Sequence, residues 1–326
     1  MYDIITFGSA TQDVFMSSRQ FQEIESKKFN TKRGLCVPLG TKILMDEVVF
    51  AMGGVGTNTA VTFARQGLKV AYFGQIGQDL SGQAVKEELT KQSVSMKLLK
   101  ERKEWSTAYS VIVSLPGVGR SILEKYGACH EMIESDISFD QLKAKWFYIG
   151  SLSGKSSQIF ESLLKFAGEN KIKIAHNPGK DQLGKDIDIL RANLDKIDIL
   201  ILNQEEAAKL TGLDFNQEKE IFKELDKLVK GVVVMTKGPE GVVVSDGEKK
   251  YSAGIPESPM VERTGAGDAF GAAFVAGWIE KQDILYAIQL GTANATSCLQ
   301  QIGATNGLLK KGEWGEWEKI KVKIIN

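Results

Sequence analysis

Residues 146–236 restrict the fold more than any other part of the chain. Four short runs, Trp146–Ile149, Ile172–Ala175, Ile197–Leu202 and Val232–Thr236, are nearly continuous in apolar residues instead of alternating with polar ones. Stretches with helical character, at 157–170, 204–211 and 217–229, separate them. A strand that is apolar on both faces must be covered on both, and intervening helices supply that cover. The pattern therefore predicts an α/β fold with a mostly parallel central sheet and helices on both faces. Asp3–Phe7, ending at Gly8, reads as a further buried strand. Thr59–Gln66 reads as a helix closed by Gly67, Val70–Phe73 as a strand and Ser81–Gln92 as a helix. Val242–Ser245 and Lys249–Ser252 suit an antiparallel addition, and two helices follow before a Lys- and Trp-rich tail. The mixed stretch Thr11–Phe50 lacks a helical period. Thr107–Ser114, turning at Pro116-Gly117 to Ser121–Leu123, is rich in β-formers. Together these two stretches predict a small β layer. With no linker or repeat in between, the expectation is a single α/β domain over 1–326 with a β lid from roughly 11–50 and 105–125.

Charge narrows the partners. Lys plus Arg equals Asp plus Glu at 41 each, so no long-range field favours nucleic acid or an anionic membrane. The three cysteines, Cys36, Cys129 and Cys298, are odd in number and far apart, which predicts reduced thiols and a cytoplasmic setting. Met1–Ile5 carries no basic region and does not read as a signal peptide. No apolar run reaches the ~20 residues that span a bilayer. His130 and His176 are too few and too isolated for a zinc site.

The chemistry concentrates in Glu262-Arg263-Thr264-Gly265-Ala266-Gly267-Asp268, which runs into the almost uncharged, small-residue stretch Ala269–Trp278. A glycine turn opening a helix directs unpaired backbone N–H groups and the positive end of the helix dipole at one spot, an anion site by construction. Asp268 at its mouth is either a charge favourable to the helix start or a catalytic base. Polar and glycine clusters also fall where strands end: Asp13, His176-Asn177-Pro178-Gly179, Asn203-Gln204-Glu205-Glu206 and Thr236-Lys237-Gly238. In open α/β sheets, ligands bind outside those carboxyl ends. Two other glycine motifs are set aside. Gly150-Ser151-Leu152-Ser153-Gly154-Lys155-Ser156 is one residue short of a phosphate-binding P-loop. Gly53-Gly54-Val55-Gly56 lacks the last glycine of a dinucleotide fingerprint.

These residues resemble the ribokinase (PfkB) family of sugar and nucleoside kinases. Gly53-Gly54-Val55-Gly56-Thr57-Asn58-Thr59-Ala60 with Gly67 and Gly77 is similar to the family's first pattern, and Thr264-Gly265-Ala266-Gly267-Asp268 to the core of its second. Asn203-Gln204-Glu205-Glu206 fits its N-x-x-E motif and Thr236-Lys237-Gly238 its nucleotide-contacting turn. The resemblance runs from about residue 3 to 308. It implies a ribokinase-like fold and ATP-dependent phosphorylation of a hydroxyl on a sugar or sugar derivative. Asp268 would be the general base, and the backbone N–H groups of Gly265, Ala266 and Gly267 the anion hole for the γ-phosphate. Asn203 and Glu206 would organise Mg²⁺ through water, and Thr236 and Gly238 would contact the nucleotide. Asp13, Gly53, Gly54 and Asn58 would bind the acceptor. Lids of the family often pair, which implies a homodimer as one arrangement.

Two departures bear on this. Glu262-Arg263 stands where the family usually has Asp followed by Thr, Ser or Pro, an aspartate that often helps coordinate a monovalent cation. Arg263 either reaches the phosphates or lies on the surface. The strand end at Gly150-Ser151 lacks the acid that ribokinases use on their sugar, so ribose itself is not implied. A nucleoside or vitamin kinase, or a non-catalytic relative, remains the alternative. Phe15, Phe21, Phe29 and Tyr109 are the aromatic candidates for stacking a base.

Overall fold

Continuous apolar strands lose contact with water only inside a covered sheet, and that is where they lie in the computed structural model, which describes residues 1–29 and 31–325. The first half of the chain forms β1 (Tyr2–Phe7), β2 (Thr11–Ser17), β3 (Gln22–Glu25), β4 (Arg33–Cys36), β5 (Glu47–Gly53), α1 (Val55–Arg65), β6 (Val70–Gly77), α2 (Leu80–Lys91), β7 (Leu99–Arg102), β8 (Ala108–Leu115) and β9 (Gly119–Lys125). It continues with β10 (Ala144–Ile149), α3 (Phe160–Glu169), β11 (Lys173–His176), α4 (Ile187–Ala192), β12 (Ile199–Asn203), α5 (Gln204–Thr211), α6 (Glu218–Leu228) and β13 (Val232–Thr236). The last elements are β14 (Val242–Ser245), β15 (Lys250–Ala253), α7 (Ala266–Lys281), α8 (Ile284–Cys298) and β16 (Lys323–Ile325).

The main sheet has the order β16-β15-β14-β13-β12-β11-β10-β1-β6-β7. Pairing is parallel from β13 through β7 and antiparallel from β13 out to β16. Successive side chains of β10 show how both faces are buried. Phe147 and Ile149 join one core, with Leu163 of α3 and Leu225 of α6, while Tyr148 joins the opposite one, with Phe63 of α1 and Phe274 of α7. The expected α/β fold, a mainly parallel sheet covered by helices on both faces, is thus the one observed.

A second sheet, β5-β2-β8-β9, stands apart from the first, and β3 and β4 pair only with each other. The 11–50 stretch therefore divides between two small sheets. Three elements went unanticipated: β7, α4 and β16. β7 and β16 are edge strands carrying Lys or Arg, and α4 is a six-residue helix; none displays a period long enough to read. α1 starts four residues ahead of the expected Thr59. Gly54 at its N-cap holds φ +99, and a Cβ there would lie 2.5 Å from the Ser9 carbonyl oxygen, so the glycine turn leads directly into helix.

α7 and α8 pack closely because their contact is lined with small residues: a Cβ on Gly277 would lie 3.0 Å from Ala287 Cα, and one on Gly291 3.0 Å from the Phe270 ring. Buried Asn294 of α8 donates to the Ala269 carbonyl at 2.9 Å and accepts from the Leu309 N–H at 2.8 Å, which fixes the first turn of α7 against α8 and the following segment. Cys36, Cys129 and Cys298 are all free thiols. Among the described residues no helix is long and apolar enough to cross a membrane.

Candidate active site

Parallel pairing places the C-terminal ends of β1, β10, β11, β12 and β13 along one edge, and the Asn203↔Thr236 register pair aligns two of the motif positions there. α7 starts above the same edge. Its N-cap, Gly265, holds the left-handed conformation at φ +84, and a Cβ would lie 2.3 Å from Ala304 Cβ, so only glycine fits. The N–H groups of Ala266, Gly267 and Asp268 precede the first full helical turn and have no acceptor four residues back. Ala266 N–H reaches only the Arg263 carbonyl at 3.4 Å, and regular bonding begins with Ala269 N–H to Gly265 O at 2.8 Å. Nothing lies within 4 Å of the position a Cβ on Gly267 would take, which leaves the turn open to an approaching anion.

Asp268 follows at once. Its Oδ2 accepts from Asn58 Nδ2 at 2.9 Å, a contact that joins the starts of α1 and α7 across 210 positions of sequence. Burial pushes the Asp268 carboxyl up to about 6; the Asn58 hydrogen bond opposes this and the charge of Asp13 adds to it. Asn58 is 5% exposed, and its Oδ1 is buried without a partner. Since the amide nitrogen must face the carboxylate, the unpaired atom is an acceptor awaiting a donor such as a hydroxyl.

Asp13 of β2 pairs with Ala51 of β5 and reaches diagonally to Gly53, where a Cβ would lie 1.9 Å from Asp13 Oδ2. Any side chain there would displace the carboxylate. Burial raises the Asp13 carboxyl, hydrogen bonds from Thr11 and Ser110 lower it, and Glu124 raises it again. Asn203 and Glu206 form a reciprocal capping box on α5: Asn203 Oδ1 accepts from the Glu206 N–H, and Glu206 Oε2 from the Asn203 N–H, both at 2.8 Å. Burial raises the Glu206 carboxyl, and Glu205 and Asp268 contribute in the same direction.

A cleft of about 270 Å³ brings Asp268 and Glu206 together with Ser9, Thr11, Ser110, Glu124 and Asn177. Thr236 and Gly238 are not among its lining residues; they lie at the end of β13, further along the same sheet edge. Gly150–Ser156, discounted as a phosphate loop, contributes Ser151 and Ser153 to the cleft. Among the described residues no group of three His, Cys, Asp or Glu side chains could hold a metal ion.

The sequence reading gave no site role to Ser9, Ser110, Glu124, Tyr126, His130 or Lys180, all of which line the cleft. Tyr126 and His130 stack with centroids 3.9 Å apart and an interplanar angle of 6°. Burial lowers the His130 pKa, and its Nδ1 accepts from the Gly127 N–H at 3.2 Å, so the neutral ring carries its proton on Nε2. Of the expected aromatics only Tyr109 borders the cleft; Phe15 and Phe21 are buried, and Phe29 packs beside Gly34. The pairing of Tyr126 with His130 across a tight turn had no periodic signature. Its one cue was the nearness of two ring-bearing residues just past a β-rich stretch. His176 is structural: wholly buried, it donates from Nδ1 to the Ile149 carbonyl at 2.8 Å, and burial lowers its pKa to about 4.

Known proteins with this arrangement place the chain. Residues 28–311 match the pfkB family carbohydrate kinase model. A cytidine kinase of Thermococcus kodakarensis is 25% identical over 308 residues, covering 87% of this chain and 94% of its own length. A ribokinase of Bacillus subtilis is 27% identical and covers 96% of this chain and 98% of its own. In structure, Arabidopsis thaliana ribokinase complexed with ribose and ATP superposes with a TM-score of 0.76 at 23% identity, over 95% of this chain and 96% of that one. Adenosine kinase from Sinorhizobium meliloti gives a TM-score of 0.75 at 22% identity, over 93% and 95%. The chain belongs to the pfkB family of carbohydrate kinases, phosphotransferases that take an alcohol group as acceptor.

Proposed function

We propose that the protein is an ATP-dependent kinase that phosphorylates a hydroxyl of a sugar, sugar derivative or nucleoside. One observation supports this above the others: a carboxylate raised to about 6 sits directly beside the open N–H turn of α7, in one cleft with polar side chains of the second sheet. Phosphoryl transfer demands positioning and electrostatics more than covalent chemistry from the protein. Asp268 is the base that accepts the hydroxyl proton. Asn58 orients it through Nδ2 and offers Oδ1 to the acceptor, which Asp13 also binds from the position that the absence of a side chain on Gly53 allows it. The N–H groups of the Gly265-Ala266-Gly267 turn hold the charge that develops on the transferred phosphoryl group.

The nucleotide occupies the sheet edge past Asn203, Thr236 and Gly238. Bound there, Mg²⁺ would neutralise phosphate charge. Glu206 would meet it through water; burial and the charges of Glu205 and Asp268 raise the Glu206 carboxyl, and a cation would relieve that accumulation of negative charge.

The four-stranded sheet acts as the lid. Its strand register puts Asp13, Ser110 and Glu124 on the face toward the cleft. The opposite face carries Val48 (45% exposed), Phe50 (66%) and Leu123 (61%), with Met16, Val111 and Val113 between them. This apolar surface suits a second copy of the same lid, and hence a homodimer. Sedimentation equilibrium of the wild type is expected to give a dimer and of Phe50→Glu a monomer; a wild type that stays monomeric at high concentration removes the lid-to-lid pairing.

The substrate class is tested by ADP release over a panel of sugars and nucleosides. The flat Tyr126–His130 stack at the cleft favours acceptors bearing a planar ring, so nucleosides are expected among the best substrates. Turnover confined to open polyols would reverse that preference, and absence of acceptor-dependent ADP release across the panel would remove the proposal.

A further inference from the structure

Glu262 stands where the aspartate of the resembled family often helps coordinate a monovalent cation, but its Oε1 is already engaged. Oε1 accepts from the N–H of Arg263 at 2.7 Å, the N–H of Thr264 at 3.0 Å and the hydroxyl of Thr264 at 2.9 Å. It also meets Arg120 Nη1 at 2.7 Å, and the two side chains are only 11% and 28% exposed. Arg120 belongs to β9 of the small sheet, across a cleft of about 790 Å³ from residues 260–263. A cation needs oxygen lone pairs turned toward a hollow. Here that oxygen faces four donors, one of them a permanent positive charge that would repel a second.

The residues therefore do not fit a monovalent cation, and we infer that Arg120 takes its place. As a positioning residue, Arg120 fixes Glu262; Glu262 in turn holds the backbone of Arg263 and Thr264, which leads into the Gly265 turn. The charge that stiffens the anion hole comes from the lid strand instead of from solution, and turnover is independent of K⁺ and Na⁺. This inference rests on the phosphotransfer reading of the Gly265–Asp268 turn, but its binding test does not depend on turnover.

Thallium-205 NMR, with Tl⁺ as a K⁺ surrogate, is expected to show no saturable binding to the wild type. Replacing K⁺ by tetramethylammonium at constant ionic strength is expected to change kcat/KM less than about twofold. Arg120→Ala should lose roughly tenfold or more in kcat, the scale of a charge-assisted contact, with the KM for ATP within about threefold of wild type. Arg120→Lys should recover part of that loss, as should millimolar guanidinium added to Arg120→Ala. Saturable Tl⁺ binding, at least fivefold activation by K⁺, or wild-type kcat in a folded Arg120→Ala would each overturn the inference. If Arg120→Ala fails to fold, the wild-type Tl⁺ titration decides alone. A result in which Asp268→Asn keeps its activity while Tl⁺ still fails to bind would count against the base and leave the Arg120 assignment standing.

Discussion

Asp268→Asn is expected to fold, to bind ATP, and to turn over about 10²–10⁴-fold more slowly than the wild type, the usual contribution of a positioned general base. The amide keeps an oxygen to accept from Asn58 Nδ2, so the cross-link between α1 and α7 survives and only the proton acceptor is lost. Two further readouts separate chemistry from folding. Wild-type kcat/KM should fall tenfold per pH unit below about 6, because the free carboxyl, pushed up to about 6, is then increasingly protonated. The residual rate of the variant should lack that limb. Stability should move the other way. Since the folded pKa lies above the ordinary value of 3.8, the native state binds more protons than the unfolded state between 3.8 and about 6, and stability falls as pH rises through that window. Removing the charge should therefore stabilise the variant at pH 7 by an amount of order 1–3 kcal/mol, with little difference from wild type below pH 3.8. A variant with near wild-type kcat on the best acceptor, or one less stable than wild type at pH 7, would count against this role.

Gly265→Ala is the second large effect. The substitution introduces a Cβ at φ +84 and drives it to 2.3 Å from Ala304 Cβ. Left-handed strain of ~1–2 kcal/mol combined with overpacking of ~1–3 kcal/mol is expected to lower stability by roughly 2–5 kcal/mol. Because the same residue caps α7, relief of the overlap must shift the N–H groups of residues 266–268, and kcat should fall by about 10²–10³, as when a preorganised donor is lost. Ala304→Gly in the same chain removes the steric partner but not the φ strain, so the double variant should regain part of the stability in a denaturant titration. No recovery at all would mean that the contact with Ala304 contributes nothing to the cost.

Much of the fold was legible because its strands are buried on both faces, and burial of that kind writes short continuous apolar runs, here separated by helical stretches. The four strands from Trp146 to Thr236 were placed within two residues on this basis. β7 and β16 were missed for the opposite reason: at a sheet edge half the surface meets water and lysine and arginine are favoured, so their composition matches that of a loop. The glycine turns were visible as motifs, yet their reasons were not. That Gly265 is demanded by Ala304 and Gly53 by Asp13 depends on neighbours supplied from elsewhere in the chain. The same holds for contacts between distant segments. Asn58 with Asp268, Tyr126 with His130 and Arg120 with Glu262 have no one-dimensional signature, because each pair is assembled by the packing of separate elements. Glu262 was noticed only as a departure; the arginine that explains it lies on another sheet.

The position of β1 has a kinetic consequence. Ile4 pairs with Val70 on one side and Trp146 on the other, so the first strand made is an interior strand of the finished sheet. Until β6 and then β10 arrive, its edges have no partners and Ile4, Ile5 and Phe7 have nothing to cover them. Closing loops of that size before any native contact is gained raises the barrier to folding. Refolding of this chain is therefore expected to be slow and concentration-sensitive, passing through collapsed species with exposed strand edges.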